Sequence, residues 1–209
     1  MKDAGEFSEW VYSFTQSMNG EGAGSVPCGE CVACCTSSKF ILVKPSDSKA
    51  LEAIPKELLF SAPGLPKGFQ ILGYDEQGHC PMFKEGKCSI YESRPETCRQ
   101  YDCRALAAAD ASLEEENTDI SESVSLWEFS FKNADSVRRL EAIRQSMMFL
   151  RKNSELFPEG YIPARDSQKS ALAIRLHEIF LSDTSERNSA KNLAEEIVKQ
   201  FPIDLDNKV

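Results

Sequence analysis

Histidine is scarce, His79 and His177 being the only two in 209 residues, and they do not form the closely spaced pair with which a helix holds a hydrolytic zinc. A glycine-rich phosphate loop and a G-x-S-x-G elbow are also missing, so no catalytic template matches and no catalytic residue can be named. Basic residues are outnumbered, 24 Lys plus Arg against 33 Asp plus Glu for a net charge of -9, which argues against a nucleic-acid backbone as partner. No stretch approaches the roughly 18 apolar residues of a membrane span, so no membrane partner is expected. Met1 to Glu6 has acids and a helical pattern where an export signal needs a basic start and an apolar run, and the expectation is a soluble, cytoplasmic protein. Internal repeats and low-complexity tracts are absent. What remains, 41% apolar and 27% charged residues, is enough to bury a core for one domain, or for a small domain with a helical appendage.

Cysteine is unevenly placed. All eight lie between Cys28 and Cys103, and the rest of the chain has none. In a reducing compartment, thiols crowded in this way read as metal ligands or redox groups before they read as disulfides.

The pattern along the chain predicts an α+β fold: a small cysteine-rich module with short strands between an N-terminal helix and a C-terminal helical region. Phe7, Trp10, Val11, Phe14 and Met18 fall at helical spacing, and a Gly-rich link runs on to Pro27. Phe40 to Val43 reads as a short strand closed by Pro45. Ser46 or Asp47 can cap a short helix through Ile54, and Pro55 suits the start of another through Leu59. Phe69 to Tyr74 and Cys80 to Tyr91 read as pieces of an antiparallel meander broken at Gln77-Gly78 and Glu85-Gly86. Three amphipathic helices follow, on Val137, Leu140, Ile143, Met147 and Leu150, on Leu172, Leu176, Ile179 and Phe180, and on Leu193, Ile197, Val198 and Phe201. Asp110 to Ser123 is polar and acidic and reads as a flexible connector. The expected divisions are residues 1–25 for the N-terminal helix and linker, 26–104 for the cysteine module and 105–209 for the acidic helical region, which offers a surface for a protein partner.

The first cysteine group, Cys28-Gly29-Glu30-Cys31-Val32-Ala33-Cys34-Cys35, sets three thiols two residues apart with a fourth adjacent. A loop with such gaps can turn about an ion so that successive sulfurs face it, as in zinc sites and iron–sulfur clusters. Adjacent side chains usually diverge, so Cys34 and Cys35 are not expected to share one ion. In the second group, Cys80 and Cys88 flank the Glu85-Gly86 turn, and Cys98 and Cys103 stand near helical facing. Eight thiols divide into two sets of four, or into one four-thiolate site with spare or bridging ligands. The reading requires sulfurs of the two stretches to meet around a common centre. Four thiolates suit zinc, and they equally suit iron, including a 4Fe-4S cluster; the residues leave both open. His79, beside Cys80, is a further candidate donor. Arg94 and Arg99 either cover the thiolates or pair with Glu92 and Glu96, and Tyr91 and Tyr101 read as core side chains.

The first octet, followed by Cys80-Pro81-Met82-Phe83 and by Gly86-Lys87-Cys88-Ser89-Ile90-Tyr91-Glu92-Ser93-Arg94-Pro95-Glu96-Thr97-Cys98-Arg99-Gln100-Tyr101, resembles the YkgJ-type CxxCxxCC cysteine-cluster family, described as a zinc- or iron-chelating domain. The resemblance covers residues 26 to 104. It implies metal chelation by Cys28, Cys31, Cys34, Cys35, Cys80, Cys88 and Cys98, with Cys103 the least regular member. Flagellin lysine N-methylases carry a related cluster, but only the cluster matches and no methyl transfer follows. The expected function is metal binding with thiolates organising the module. A redox or transferase enzyme and a metal-delivery protein are the alternatives.

Overall fold

The computed structural model describes residues 1–21, 26, 28–61, 64–111, 118–181 and 189–202. The fold is α+β, with eight α-helices and seven short strands among the described residues. The chain divides into two compact units. One comprises Met1–Asn19, Cys103–Glu115 and Leu126–Val209, and the other Gly20–Asp102 with Glu116–Ser125.

The first, helical unit opens on a strand. β1 (Lys2–Glu6) pairs in parallel with β7 (Trp127–Ser130), Lys2 opposite Trp127 and Glu6 opposite Ser130. The helical pattern read over Met1 to Glu6 is therefore overturned: the short period of the sequence is decided by a partner strand more than a hundred residues away. The carboxylate of Glu6 then caps α1 (Phe7–Met18), accepting the Glu9 backbone N–H at 2.9 Å. α1 buries Phe7, Trp10 and Val11, as their spacing predicted. α4 (Arg104–Ala108) and the long helices α6 (Ala134–Lys152) and α7 (Asp166–Leu181) complete the centre, with α8 (Ala190–Gln200) beside them. Asn133 caps α6 through the Ser136 N–H, and Arg151 and Lys152 stand in its last turn, where cations offset the helix dipole. Ile143, Met147 and Leu150 of α6 join Leu172, Leu176 and Ile179 of α7 and Leu193 and Ile197 of α8 in one core, while Met148 faces outward. The Tyr161 hydroxyl donates to the Phe201 carbonyl at 2.9 Å and ties down the end of α8. The three helices read from the sequence are all present.

The second, cysteine unit contains a three-stranded antiparallel sheet in which β4 (Gln70–Leu72) lies between β2 (Ile41–Val43) and β3 (Leu59–Phe60). Pro55 introduces a single 3-10 turn, Lys56–Leu58, and Leu59 has already entered β3, so the second helix read there is absent. β5 (Phe83–Lys84) and β6 (Lys87–Cys88) form a hairpin. Glu85 and Gly86, both at positive φ, make the two-residue turn whose twist matches that of the strands. α2 (Ser48–Ala53) and α3 (Glu96–Gln100) pack beside the sheet. Val43, Ala50, Ile54, Leu72, Cys80 and Met82 form the small core. The acidic connector ends differently from its reading: Thr118–Ser125 is a helix, α5, with Ile120 and Val124 buried. Its Glu114-Glu115-Glu116 run and most of the Gly-rich link before Cys28 lie outside the described residues. Among the described residues no helix is long and apolar enough to cross a membrane.

Candidate metal centre

The first cysteine group is shaped by tight backbone turns. Cys31 N–H donates to the Cys28 carbonyl at 2.8 Å, and Cys35 N–H to the Val32 carbonyl at 2.7 Å, which closes a 3-10 turn over Ala33–Cys35. That turn separates the adjacent pair. Cys35 packs against the core of Val43, Leu72 and Cys80, whereas Cys34 is exposed. The divergence expected of neighbouring side chains is what the structure has.

The second group is brought to the first by one backbone contact: Cys80 N–H donates to the Cys35 carbonyl at 2.7 Å. Gly78 permits it. Its carbonyl accepts Ser38 N–H at 2.8 Å, its φ is +82°, and a Cβ there would lie 2.2 Å from the Ser38 Oγ. Phe83 N–H closes the Cys80-Pro81-Met82-Phe83 turn on the Cys80 carbonyl at 2.8 Å, and Cys88 then pairs with Phe83 across the hairpin. Cys98 comes from α3, which Thr97 fastens to β2 by donating to the Leu42 carbonyl at 2.8 Å.

The electrostatics define which thiols share a neighbourhood. Burial first, and then Cys88, Cys80, Cys28 and Cys31, push the Cys35 thiol up to about 12. Burial and then Cys80, Cys35 and Cys88 push Cys98 to about 12 as well, with Arg94 acting in the opposite direction. Cys80 is raised by burial, Cys88 and Asp75, against backbone N–H groups of Met82 and Phe83 that favour its anion. Cys35 thus feels Cys28, Cys31, Cys80 and Cys88, and Cys98 feels Cys35: six thiols from three stretches of chain. Neighbouring thiols make ionisation of Cys35, Cys80 and Cys98 harder, the condition that a bound cation relieves.

Cys34 is at the surface, and Cys103 belongs to the helical unit, where its sulfur accepts the Trp127 indole N–H at 3.1 Å. Cys98 and Cys103 do not share a helix face, because α3 ends at Gln100 and Cys103 precedes α4. The His79 ring packs edge-on against Phe83, at 5.5 Å between centroids. Arg94 stacks on Tyr91 at 3.9 Å, and Tyr91 is correspondingly exposed rather than in the core. Arg99 turns to Asp47, and Glu96 to Lys44. Arg94 is the arginine that acts on Cys98.

One residue that the cysteine pattern gave no reason to choose also meets the site. Ser123 of α5 is 6% exposed and its Oγ lies 3.2 Å from the Cys31 Sγ. A lone serine in a polar stretch carries no spacing signal.

Residues 27–123 match the model of the CxxCxxCC family, described as a "putative zinc- or iron-chelating domain". The likeness is to that family over 97 of the 209 residues, just under half of the chain. The match takes in all eight cysteines and ends at Ser123, inside α5. No match to the chain was found among curated proteins or among solved structures.

The residues fit a zinc- or iron-type ion by donor chemistry: sulfur donors are the soft set such cations take, and N–H groups directed at Cys80 suit a ligating thiolate. The expected four-sulfur centre is not closed, however. Among the described residues, no group of three or more His, Cys, Asp or Glu side chains is placed to hold a metal ion. Thiols of three chain segments act on Cys35 and Cys98 without forming such a group.

Proposed function

We propose that the protein is a thiolate metal-binding protein in which Cys28, Cys31, Cys35, Cys80, Cys88 and Cys98 hold zinc or iron, and that binding draws these loops together. The observation that carries this reading is the backbone contact of Cys80 with Cys35, beside which thiols of three chain segments act on Cys35 and Cys98. A bound cation supplies the charge that lets those thiols exist as thiolates at neutral pH. The unit's own core is small, so metal binding supplies part of its folding free energy.

Six sulfurs are two more than one closed tetrahedral site needs and two fewer than two separate sites need. One 4Fe-4S cluster or one zinc leaves two over, and two ions sharing a pair of bridging thiolates use all six. Metal and acid-labile sulfide are to be quantified per chain after anaerobic purification. Sulfide together with iron establishes a cluster and favours the redox reading. Zinc without sulfide establishes the structural one. A chain that takes up neither metal overturns the proposal.

The exposed Cys34 beside Cys35 supports a second reading, delivery of the ion to a client, since a surface thiolate is where an incoming ligand set can take hold. Fast loss of the ion to a competing chelator, slowed in Cys34→Ser, is the result that reading requires.

A further inference from the structure

We infer that Ser123 is a positioning residue for the metal centre: its hydroxyl donates to the Cys31 sulfur and holds that ligand toward the site. The inference rests on the reading of Cys31 as a ligand. Either atom of the 3.2 Å contact is able to be the donor. A metal-bound thiolate has no proton, so once Cys31 binds an ion the hydrogen must come from Ser123 Oγ. Ligating sulfurs keep residual negative charge, and a hydrogen bond from outside the ligand set fixes their direction and strengthens their hold.

The placement is built by α5. Asp119 and Ser123 are four residues apart and therefore share one face of the helix. Asp119 accepts the Thr36 hydroxyl at 2.5 Å while Ser123 meets Cys31, so the two side chains take the segment from Cys31 to Thr36 at both ends. Between those points lies the 3-10 turn that directs Cys35 inward and Cys34 outward. Ser123 is 6% exposed, and Ile120 and Val124 bury the same helix, so the hydroxyl is held in a fixed position rather than on a free side chain. The sequence places α5 beyond the last cysteine, on the far side of a chain segment that belongs to the helical unit, yet it packs with the cysteine unit.

The test titrates full-length, metal-free protein anaerobically with Co²⁺, reading the thiolate-to-cobalt charge-transfer band, and then displaces Co²⁺ with Zn²⁺. Ser123→Ala is expected to weaken binding about tenfold or more and to shift the band, and Ser123→Thr to restore both. Thr36→Val removes the hydroxyl that bonds Asp119 of α5 and the Ala33 carbonyl, without touching the sulfur, and serves as the control for loosening of the turn alone. If Ser123→Ala loses its circular dichroism, Ser123→Val against Ser123→Thr gives the same comparison between side chains of one shape. Unchanged affinity and band in the variant lacking the hydroxyl overturn the inference, as does an equal loss in Thr36→Val. Failure of the wild-type chain to bind Co²⁺ or Zn²⁺ overturns the metal reading itself.

Discussion

The carboxylate of Asp47 accepts the backbone N–H of Glu96 at 2.8 Å, and so the residue that precedes α2 caps α3, the helix that carries Cys98. Asp47 also accepts the Lys44 N–H at 2.9 Å and approaches Arg99 at 3.5 Å, with its side chain only 2% exposed. Asp47→Ala leaves these donors unmatched in a buried place, and the expected cost is about 1–3 kcal/mol. Urea unfolding followed by circular dichroism measures it, and the same variant is expected to bind metal more weakly because α3 is no longer fixed. An unchanged midpoint would show that solvent satisfies the donors.

Thiol reactivity should rank the cysteines. In metal-free protein, Cys35 and Cys98, both pushed up to about 12, remain neutral and alkylate slowly near neutral pH, whereas exposed Cys34 alkylates fast. Because ligation removes thiol protons, metal affinity rises with pH, and loading releases protons. Peptide mapping of alkylated protein checks the ranking, and metal loading is expected to protect Cys35 and Cys98 while leaving Cys34 reactive.

Cys103 is expected to matter for stability and not for metal. Cys103→Ser keeps an acceptor for the Trp127 indole N–H and should leave metal stoichiometry unchanged. Cys103→Ala removes that acceptor from a buried donor and should cost about 1–3 kcal/mol. Loss of an ion in Cys103→Ser would place this sulfur among the ligands.

How much of this was legible in the sequence differs from element to element. The long helices were readable because Ile143, Met147 and Leu150, or Leu172, Leu176 and Ile179, repeat at the period of a helix that buries one face. The Glu85-Gly86 hairpin was readable because its turn demands those backbone angles. β1 was not, since a five-residue strand is specified by its pairing with Trp127 to Ser130 and not by local pattern. α5 was hidden by its acidic surface, with Ile120 and Val124 its only large apolar anchors. Within the cysteine motif, the spacing located the thiols, but it could not show that a 3-10 turn sends Cys34 outward or that Cys103 sits with Trp127 in the helical unit.

The helical unit should be sensitive to acid through His177. Its ring is buried on α7, with Nδ1 2.6 Å from the Ile174 carbonyl and Nε2 3.4 Å from the Arg139 guanidinium, which also pairs with Asp135 and Glu178. Burial is the main cause that lowers its pKa below the usual 6.5; Arg139 adds to it, and the Ile174 carbonyl and Glu178 oppose it. The unfolded chain therefore binds the proton more readily, and stability present above pH 6.5 is lost as pH falls below it. Thermal midpoints taken from neutral pH downward should decline with this onset, and His177→Gln should flatten the decline.

The parallel pairing of Lys2 with Trp127 makes the whole cysteine unit part of a crossover inserted between two neighbouring strands. During synthesis β1 waits for β7 until the sulfur-bearing segment has already been made, so that segment emerges in full before the strand pair closes. Long excursions add little to the entropy of closure, since that cost grows only with the logarithm of length. The two ends of the insert are then held by a ladder that contains no cysteine and does not itself depend on metal.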